Sequence, residues 1–430
     1  MLDLKFIREN KEAVKKNAAD RGAKIDVDRL LALDEERRKN IVLVEALRAK
    51  QNKASDEIAR EKDATAKQAK IAEMKKAKEE IGELEPNLKK SEEELDNLMR
   101  LLPNMMQPGT PVGTSEKDNV VVREVGKKTN FKFAPRDYMA IAESLDLIDV
   151  ERAAKVSGSR FGYIKNEAAQ MEFALAQLAL EVLVKEGFQP IITPVMIRSG
   201  AMAAMGYIDT AEDKEERYFF PGDDLYLVGT SEQAIGPMYQ NEVLDIKKLP
   251  LRFVGFSACF RREAGSYGKD TKGILRVHQF DKLEMFSFTR PEDSAKEHQF
   301  LISIEEKLMQ KLKLPYRLMQ LCSIDFARPS SATYDIETWL PGQNNGTGEY
   351  RETHSCSNCT DWQSRRLNIK YKNEQTGKTE LVHMLNGTAF AIGRILIAIL
   401  ENYQQKDGSV EVPKALRPWM GGVKKIKPKK

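Results

Sequence analysis

The chain contains 430 residues, 41% of them hydrophobic, which is enough for a buried core and for more than one domain. Its formal net charge is +4, but five lysines fall within the last seven residues, and subtracting them leaves the rest of the chain at −1. This balance excludes a general attraction to polyanions, so a nucleic acid would have to bind at local basic patches.

The N-terminus and the cysteine content predict a soluble, cytoplasmic protein. Asp3 and Glu9 lie in a terminus without a long apolar run, so we expect no signal peptide. The longest aliphatic run, residues 395–400, is too short to span a bilayer, and we expect no membrane partner. Four cysteines do not make a disulfide framework in a chain of this length. Cys356 and Cys359 form a CxxC pair without further ligands, so no structural zinc is expected.

The first hundred residues have the composition of long paired helices. No aromatic residue occurs between Ile7 and Asn130, and 35 of the 73 residues from 28 to 100 are charged. Such a segment is rich in helix formers but cannot form a globular core by itself. Its apolar residues recur at heptad-like spacing, which predicts an antiparallel coiled coil of two helices. They are Leu30, Leu33, Ile41, Val44 and Ile58 in the first half and Ile71, Met74, Ile81, Leu88 and Leu95 in the second.

The turn of this coiled coil is expected at residues 63–67, where the pattern lapses, and Pro86 should kink the second helix or lie at a local break. Around the turn, residues 48–78 contain ten basic and five acidic side chains, a local excess of +5. A projecting positive rod suits a nucleic-acid backbone. A solvated coiled coil that mediates protein contacts is the alternative.

Proline and glycine then mark a change in organisation. The second helix should end near Leu102, and a linker rich in Pro and Gly should lead to a domain of mixed strands and helices. The predicted domains are a helical domain at 1–103, a linker at 104–119, a larger α+β domain at 120–421 and a basic tail at 422–430.

Extended runs in the larger domain follow one another without regular βαβ alternation. This order favours a mainly antiparallel β-sheet flanked by helices. The expected strands are 189–197, 225–228, 251–260, 277–289 and 334–340, and the expected helices are 171–186 and about 389–404. Neither a P-loop nor a Rossmann fingerprint is present in the sequence, so the usual phosphate-binding loops are missing.

Residues 257–286 contain the densest set of candidate site residues. Two strand-like runs flank a polar loop with several cations, a combination that indicates a nucleotide site. An arginine can hold a phosphate and a carboxylate through parallel hydrogen bonds, which a lysine cannot do as specifically. An ordinary exposed hairpin is the alternative. The residues are Phe260, Arg261, Arg262 and Glu263, then Gly265, Gly268, Lys269, Lys272 and Gly273 in the loop, then Gln279, Phe280 and Glu284.

This stretch resembles motif 2 of the class II aminoacyl-tRNA synthetases, and its wording is close to that of the seryl-tRNA synthetase family. Further segments resemble that family in the same order along the chain. They are residues 187–194 ending at Pro194, like motif 1 of the dimer interface; 230–232, like the TxE loop; 352–359; and 386–394, like motif 3.

The resemblance implies a role for each candidate residue. Arg261 would bridge the serine carboxylate and the ATP α-phosphate, where negative charge builds up. Arg262 would assist, Glu263 would hydrogen-bond the adenine, and Phe280 would stack on it. Arg394 would contact the γ-phosphate.

The same resemblance implies a serine pocket. Thr230 and Glu232 would hold the ammonium group, and Glu284 and Thr388 would hold the side-chain hydroxyl. A buried acceptor of that hydroxyl rejects alanine, because the acceptor would otherwise remain unpaired.

Residues 352–355 are implied to hold Mg²⁺ and the ATP phosphates, chiefly through the oxygens of Glu352 and Ser355. Thr353 and His354 depart from the family pattern, which usually has an aliphatic residue and a serine there. We interpret His354 as a local substitution rather than a catalytic base. Cys356 and Cys359 are interpreted as packing residues.

The implied activity is the activation of L-serine with Mg·ATP to seryl-adenylate, followed by transfer to the 3′ end of tRNA(Ser), with tRNA(Sec) as a further candidate acceptor. A homodimer is expected, and the coiled-coil arm would bind tRNA. Two alternatives remain open on the sequence: a related ligase that charges a carrier protein, and a non-catalytic RNA-binding regulator.

Overall fold

A computed structural model describes residues 1–264 and 273–428 of the chain. The loop residues Gly265, Gly268, Lys269 and Lys272 and the tail residues Lys429 and Lys430 therefore lie outside the described residues. The chain divides into two compact units, Met1–Met105 and Met106–Lys430.

The first unit consists of helices in the described chain, and its two long helices pair along their length. Its elements are α1 Leu4–Glu9, α2 Lys11–Asp20, α3 Val27–Arg60 and α4 Ala64–Leu101. Ion pairs join Arg29 to Glu94 and Arg48 to Glu85, so residue numbers rise along α3 as they fall along α4. The helices are therefore antiparallel, as predicted.

The contact face of this pair is apolar. Buried side chains include Leu30, Leu33 and Val44 on α3 and Ile81 and Leu95 on α4. These five residues belong to the predicted heptad pattern, and their burial stabilises the pair, whereas Ile71 of the same pattern is 44% exposed.

The turn between α3 and α4 lies at residues 61–63, slightly before the predicted 63–67. The side chain of Asp63 accepts hydrogen bonds from the backbone N–H groups of Thr65 and Ala66, both at 2.8 Å. This N-cap satisfies free donors of the first helical turn and starts α4 earlier than the apolar pattern alone suggests. Pro86 lies inside α4, which continues past it to Leu101, so the helix has no break there.

The second unit combines helices with several β-sheets. Its helices are α5 Tyr138–Leu145, α6 Val150–Ser157, α7 Asn166–Lys185, α8 Ser199–Ala204, α9 Ala211–Glu215, α10 Glu232–Ile235, α11 Ser294–Leu312, α12 Gln343–Gly346, α13 Trp362–Leu367 and α14 Ile392–Asn402. Its strands are β1 Val120–Val125, β2 Ile148–Asp149, β3 Tyr163–Ile164, β4 Gln189–Ile192, β5 Met196–Arg198, β6 Phe219–Phe220, β7 Leu225–Leu227, β8 Val243–Leu244, β9 Leu251–Phe260, β10 Gln279–Thr289, β11 Tyr316–Gln320, β12 Ala332–Leu340, β13 Glu349–Asn358, β14 Lys370–Lys372, β15 Thr379–Leu381, β16 His383–Ala391, β17 Val410–Glu411 and β18 Lys425–Ile426.

An eight-stranded sheet organises this unit within the described residues. Its strand order is β1-β11-β12-β13-β16-β10-β9-β4. Every neighbouring pair is antiparallel except β4 with β9, which is parallel. The predicted α+β class with a mainly antiparallel sheet is confirmed.

The central strands separate an apolar face from a polar one, because side chains alternate along a strand. On β10, Leu283 and Met285 enter the main hydrophobic core with residues of α7, α11 and α14. Lys282 and Glu284 point to the opposite face, where an open cleft lies.

A β-bulge between β10 and β16 sets the composition of that polar face. Leu283 pairs with Phe390, but the next residue, Glu284, pairs with Thr388. Ala389 is thus an extra residue on β16 and is fully buried in the core. A bulge shifts the strand by one residue, so Thr388 lies on the same face as Glu284.

Several predicted elements have different bounds in the structure, and one of them is divided; the helix expected at 171–186 is α7, which begins at Asn166. The expected helix at 389–404 begins at Ile392, because the preceding apolar residues belong to β16. The expected strand at 189–197 is two strands, β4 and β5, separated by residues 193–195. A short apolar run does not distinguish a strand from a buried helix. In the described part of the chain, no helix is long and apolar enough to cross a membrane.

Candidate active site

An open cleft of about 1130 Å³, including space open to solvent, lies over the polar face of the central strands. It brings together eleven of the predicted site residues from separate parts of the sequence. They are Thr230, Glu232, Arg261, Glu263, Phe280, Glu284, Glu352, Thr353, Ser355, Thr388 and Arg394.

Arg261 follows directly after β9 and is held by backbone contacts on both sides. The N–H of Phe260 donates to the carbonyl of Val228 at 2.8 Å, and the N–H of Arg261 donates to that of His278 at 3.0 Å. The Arg261 guanidinium lies 5.3 Å from the centroid of the Phe280 ring. Its Nε and Nη2 atoms are 3.4 Å from the carbonyl oxygen of Gly229. A rigid cation therefore faces the cleft next to an aromatic surface.

Glu263 lies at the same end of the cleft in a strained backbone conformation. Its φ of 52° is in the left-handed region, which a residue with a side chain rarely adopts. Arg276 pairs with its carboxylate at 3.4 Å, and Arg160 donates to its backbone carbonyl at 3.1 Å. These contacts hold the Glu263 side chain at the cleft wall.

Two buried carboxylates lie in the deepest part of the cleft. Glu232 is 4% exposed and Glu284 is 1% exposed. The hydroxyl of Thr388 donates to Glu284 Oε2 at 3.4 Å, and Lys282 forms an ion pair with the same carboxylate. Burial, followed by the charge of Glu284, raises the pKa of Glu232 to about 8. This pocket can hold a small molecule with a hydroxyl group and a positive charge.

Glu352 and Arg394 form an ion pair on the other side of the cleft. Arg394 Nη1 lies 3.1 Å from Glu352 Oε1 and donates to the Glu352 backbone carbonyl at 3.0 Å. The charge of Glu352 raises the pKa of Arg394. The charge of Arg394, together with more distant cations, holds the pKa of Glu352 below its usual value.

Oxygen ligands for Mg²⁺ are available next to this pair. The Glu352 side chain is 48% exposed and faces the cleft, and Ser355 also lines it. Mg²⁺ bound with a nucleotide usually takes one or two protein oxygens and completes its shell with phosphate and water. Glu352 and Ser355 fit that pattern. Among the described residues, no group of three or more His, Cys, Asp or Glu side chains could hold a metal ion.

Two predicted residues, Arg262 and His354, do not line the cleft. The Arg262 guanidinium lies 5.6 Å from the Tyr218 ring centroid. His354 is fully buried on the core side, where its ring is 6.0 Å from that of Phe390. Burial lowers the pKa of His354 to about 3, so the ring is neutral and cannot counter a phosphate charge. A bulge in β13 at Thr353 leaves His354 facing the core while Thr353 and Ser355 line the cleft.

The cleft also contains residues that the sequence reasoning missed. Tyr207 donates its hydroxyl to Glu232, and the Arg217 guanidinium lies 5.2 Å from the Tyr207 ring centroid. Burial, followed by the charge of Arg261, lowers the pKa of Arg217 to about 10. Lys282 was detectable, since it lies two residues before Glu284 on the same face of a strand. Cys359 also lines the cleft, whereas Cys356 packs in the core.

Models of known families match both units of the chain. Residues 1–106 match the seryl-tRNA synthetase N-terminal domain. Residues 218–403 match the tRNA synthetase class II core domain (G, H, P, S and T). Together with the mainly antiparallel sheet and its cleft, these matches define a class II aminoacyl-tRNA synthetase.

Full-length relatives identify the member of that class. The chain is 45% identical to the serine–tRNA ligase of Dictyoglomus turgidum over 437 residues, covering 100% of both chains. The seryl-tRNA synthetase from Pyrococcus horikoshii, solved with ATP, superimposes with a TM-score of 0.92 at 40% identity and 100% coverage of both chains. The cytoplasmic serine–tRNA ligase from Naegleria fowleri, solved with AMP, gives a TM-score of 0.86 at 34% identity, covering 100% of this chain and 99% of that one. The chain belongs to the seryl-tRNA synthetase family.

These findings confirm the prediction of an aminoacyl-tRNA ligase specific for serine. They support neither the carrier-protein ligase nor the non-catalytic RNA-binding regulator.

Proposed function

We propose that the cleft forms seryl-adenylate from L-serine and ATP, and that the seryl group then passes to the 3′ end of tRNA(Ser). The observation that carries this proposal is the position of Arg261. It lines the same cleft as the two carboxylates of the deep pocket, its charge acts on Glu232, and its guanidinium lies 5.3 Å from the centroid of the Phe280 ring. A single cation can thereby face both a bound amino acid and a nucleotide.

The first step needs positioning and charge stabilisation rather than a side-chain nucleophile. An oxygen of the serine carboxylate attacks the α-phosphorus, the bond from that phosphorus to the bridging oxygen breaks, and pyrophosphate leaves. Negative charge accumulates on the α-phosphate oxygens during this exchange. The Arg261 guanidinium, held between Gly229 and Phe280, is suited to stabilise that charge.

The deep pocket would select serine by its hydroxyl group. Glu284 would accept a hydrogen bond from the serine hydroxyl. Thr388, already within reach of the same carboxylate, would contact the hydroxyl oxygen. Alanine would leave a buried carboxylate without this partner, which costs about 1–3 kcal/mol. Glu232 and Thr230 would hold the serine ammonium.

The other half of the cleft would hold ATP. Phe280 offers a stacking face for adenine and Glu263 an acceptor for its amino group, while Arg394 would bind the terminal phosphate. Glu352 and Ser355 would hold Mg²⁺, which shields phosphate charge when bound. Thr353 lines the same wall, whereas the positions of Arg262 and His354 give them no direct contact with the cleft.

The N-terminal helices would bind tRNA. The pair α3 and α4 has a positive end at residues 48–78, and phosphate neutralisation there would release counterions. We propose residues 1–103 as the tRNA-binding domain, 104–119 as a linker, 120–421 as the catalytic domain and 422–430 as a basic tail. We expect the protein to act in the cytoplasm, because charged tRNA is used for translation there.

A homodimer is proposed through residues 187–194 and α7. The strand β4 lies at an end of the main sheet. Ile192 on this strand is 87% exposed, and Phe173 on α7 is 68% exposed. Exposed apolar residues of this kind are typical of an interface. Analytical ultracentrifugation should give twice the chain mass, and Ile192→Asp should shift the protein toward one chain mass.

Two assays test the activity in sequence. Serine-dependent ATP–pyrophosphate exchange should proceed with the purified protein and magnesium, and serine should then be attached to purified tRNA(Ser). Failure of exchange would refute the enzyme, and exchange without tRNA charging would point to a different acceptor. Adding tRNA(Sec) in the second assay determines whether it is also an acceptor.

A further inference from the structure

The deep pocket contains more negative than positive charge before any substrate is bound. Glu232 and Glu284 are both buried, and so is Lys282 next to them, with 8% of its side chain exposed. Lys282 forms an ion pair with Glu284, whereas Glu232 accepts a hydrogen bond from the hydroxyl of Tyr207. The two carboxylates therefore have different partners: a lysine ammonium for Glu284 and a tyrosine hydroxyl for Glu232.

The groups that face Glu232 come from several elements. Lys282 and Glu284 extend from β10, and Arg261 lies at the end of β9. Tyr207, a residue that follows α8, donates its hydroxyl to Glu232, and the Arg217 guanidinium lies over the Tyr207 ring. Burial and the negative charge of Glu284 favour a proton on Glu232, while Lys282 and Arg261 oppose it.

We propose that Lys282, by pairing with Glu284, keeps this carboxylate available as the hydroxyl acceptor, while Glu232 carries a proton until the serine ammonium displaces it. This inference rests on the proposed function of the pocket. Lys282 is here a positioning residue, because it acts through Glu284 and Glu232 rather than on the reacting atoms.

The charges balance once serine is bound. Lys282 remains paired with Glu284, the serine ammonium pairs with the ionised Glu232, and the serine carboxylate faces Arg261. The proton of Glu232 leaves for solvent, so one proton is released for each serine bound. A pKa of about 8 for Glu232 means that most molecules carry this proton at pH 7.

Calorimetry measures this proton directly in the wild-type protein. Serine is titrated at pH 7 in two buffers with different enthalpies of ionisation, and the difference in heat gives the number of protons released. We expect about one proton per serine. Glu232→Gln has no proton to release, so the two buffers should give equal heats for any binding that remains.

Kinetics test the same point. At saturating ATP, the KM for serine in pyrophosphate exchange should fall about tenfold between pH 6 and 7 and level off above about pH 8. The sign follows from the raised pKa, since only the ionised form of Glu232 pairs with the ammonium.

Variants of Lys282 separate positioning from mere support of the fold. Lys282→Met leaves two carboxylates without their cation. The KM for serine should therefore rise at least tenfold, and its pH profile should shift to higher pH, while the KM for ATP changes little. Lys282→Arg keeps the charge and should restore most of the serine KM and the wild-type profile.

A serine KM that stays constant from pH 6 to 8, with no proton release and normal exchange, would overturn the inference. A Lys282→Met profile identical to that of the wild type would overturn it too. An absence of serine-dependent exchange at every pH would instead refute the proposed function.

Discussion

Arg261→Lys should slow serine-dependent pyrophosphate exchange about a hundredfold while leaving the fold intact. The substitution keeps the positive charge but removes the planar group that can hold two oxygens at once. Removing one such donor from a developing negative charge costs about 3 kcal/mol, and each 1.36 kcal/mol corresponds to about a tenfold change in rate. Lysine also lacks the flat surface that lies 5.3 Å from the Phe280 ring.

Arg262→Lys is the matched control, because its guanidinium lies near Tyr218 and outside the cleft. We expect its exchange rate to stay within about threefold of the wild type, in line with loss of one exposed cation–π contact. Both variants should be measured at saturating serine and ATP, with circular dichroism to check the fold. Equal losses in the two variants, or full activity of Arg261→Lys, would refute the role assigned to Arg261.

Three further outcomes are expected. Deleting residues 40–90 should leave exchange unchanged and abolish most tRNA charging, and intact charging would show that the arm is not needed for tRNA. Glu352→Gln removes a charged oxygen and the ion pair with Arg394, so exchange should require more Mg²⁺ for half-maximal rate; an unchanged Mg²⁺ titration would exclude Glu352 as a ligand. Burial lowers the pKa of His298 to about 4. The neutral imidazole therefore stabilises the folded state fully above about pH 6.5, and this contribution is lost as the pH falls toward 4. Between pH 7 and 5, the free energy of unfolding should therefore fall by about 2 kcal/mol less for His298→Gln than for the wild type. Thermal melts at each pH measure this difference, and parallel curves would contradict it.

The helical arm was predictable because its information is local. Heptad spacing requires only neighbours in sequence, and residues such as Leu30 and Ile81 are buried as the pattern indicates. The exact turn was less accessible, since the Asp63 N-cap competes with the end of the apolar pattern. Pro86 was misleading as a possible break, because α4, paired with α3, continues past it.

The candidate site was predictable only where several segments resembled one family in order. Arg261, Glu284 and Thr388 were found in this way. Tyr207 and Arg217 were not, because their relation to Glu232 depends on contacts between segments that no local spacing reports. His354 shows the opposite error: it lies within a matching segment, yet the bulge at Thr353 leaves its ring facing the core.

The extra residue in β16 determines which face of the strand the Thr388 side chain occupies. If β16 paired with β10 without this bulge, Glu284 would lie opposite Ala389, and the Thr388 side chain would turn toward the core. The hydroxyl that faces Glu284 is therefore specified by the register of β16 on β10 as well as by the identity of residue 388. A shift in that register would remove the hydroxyl from the cleft even with every residue of β16 unchanged.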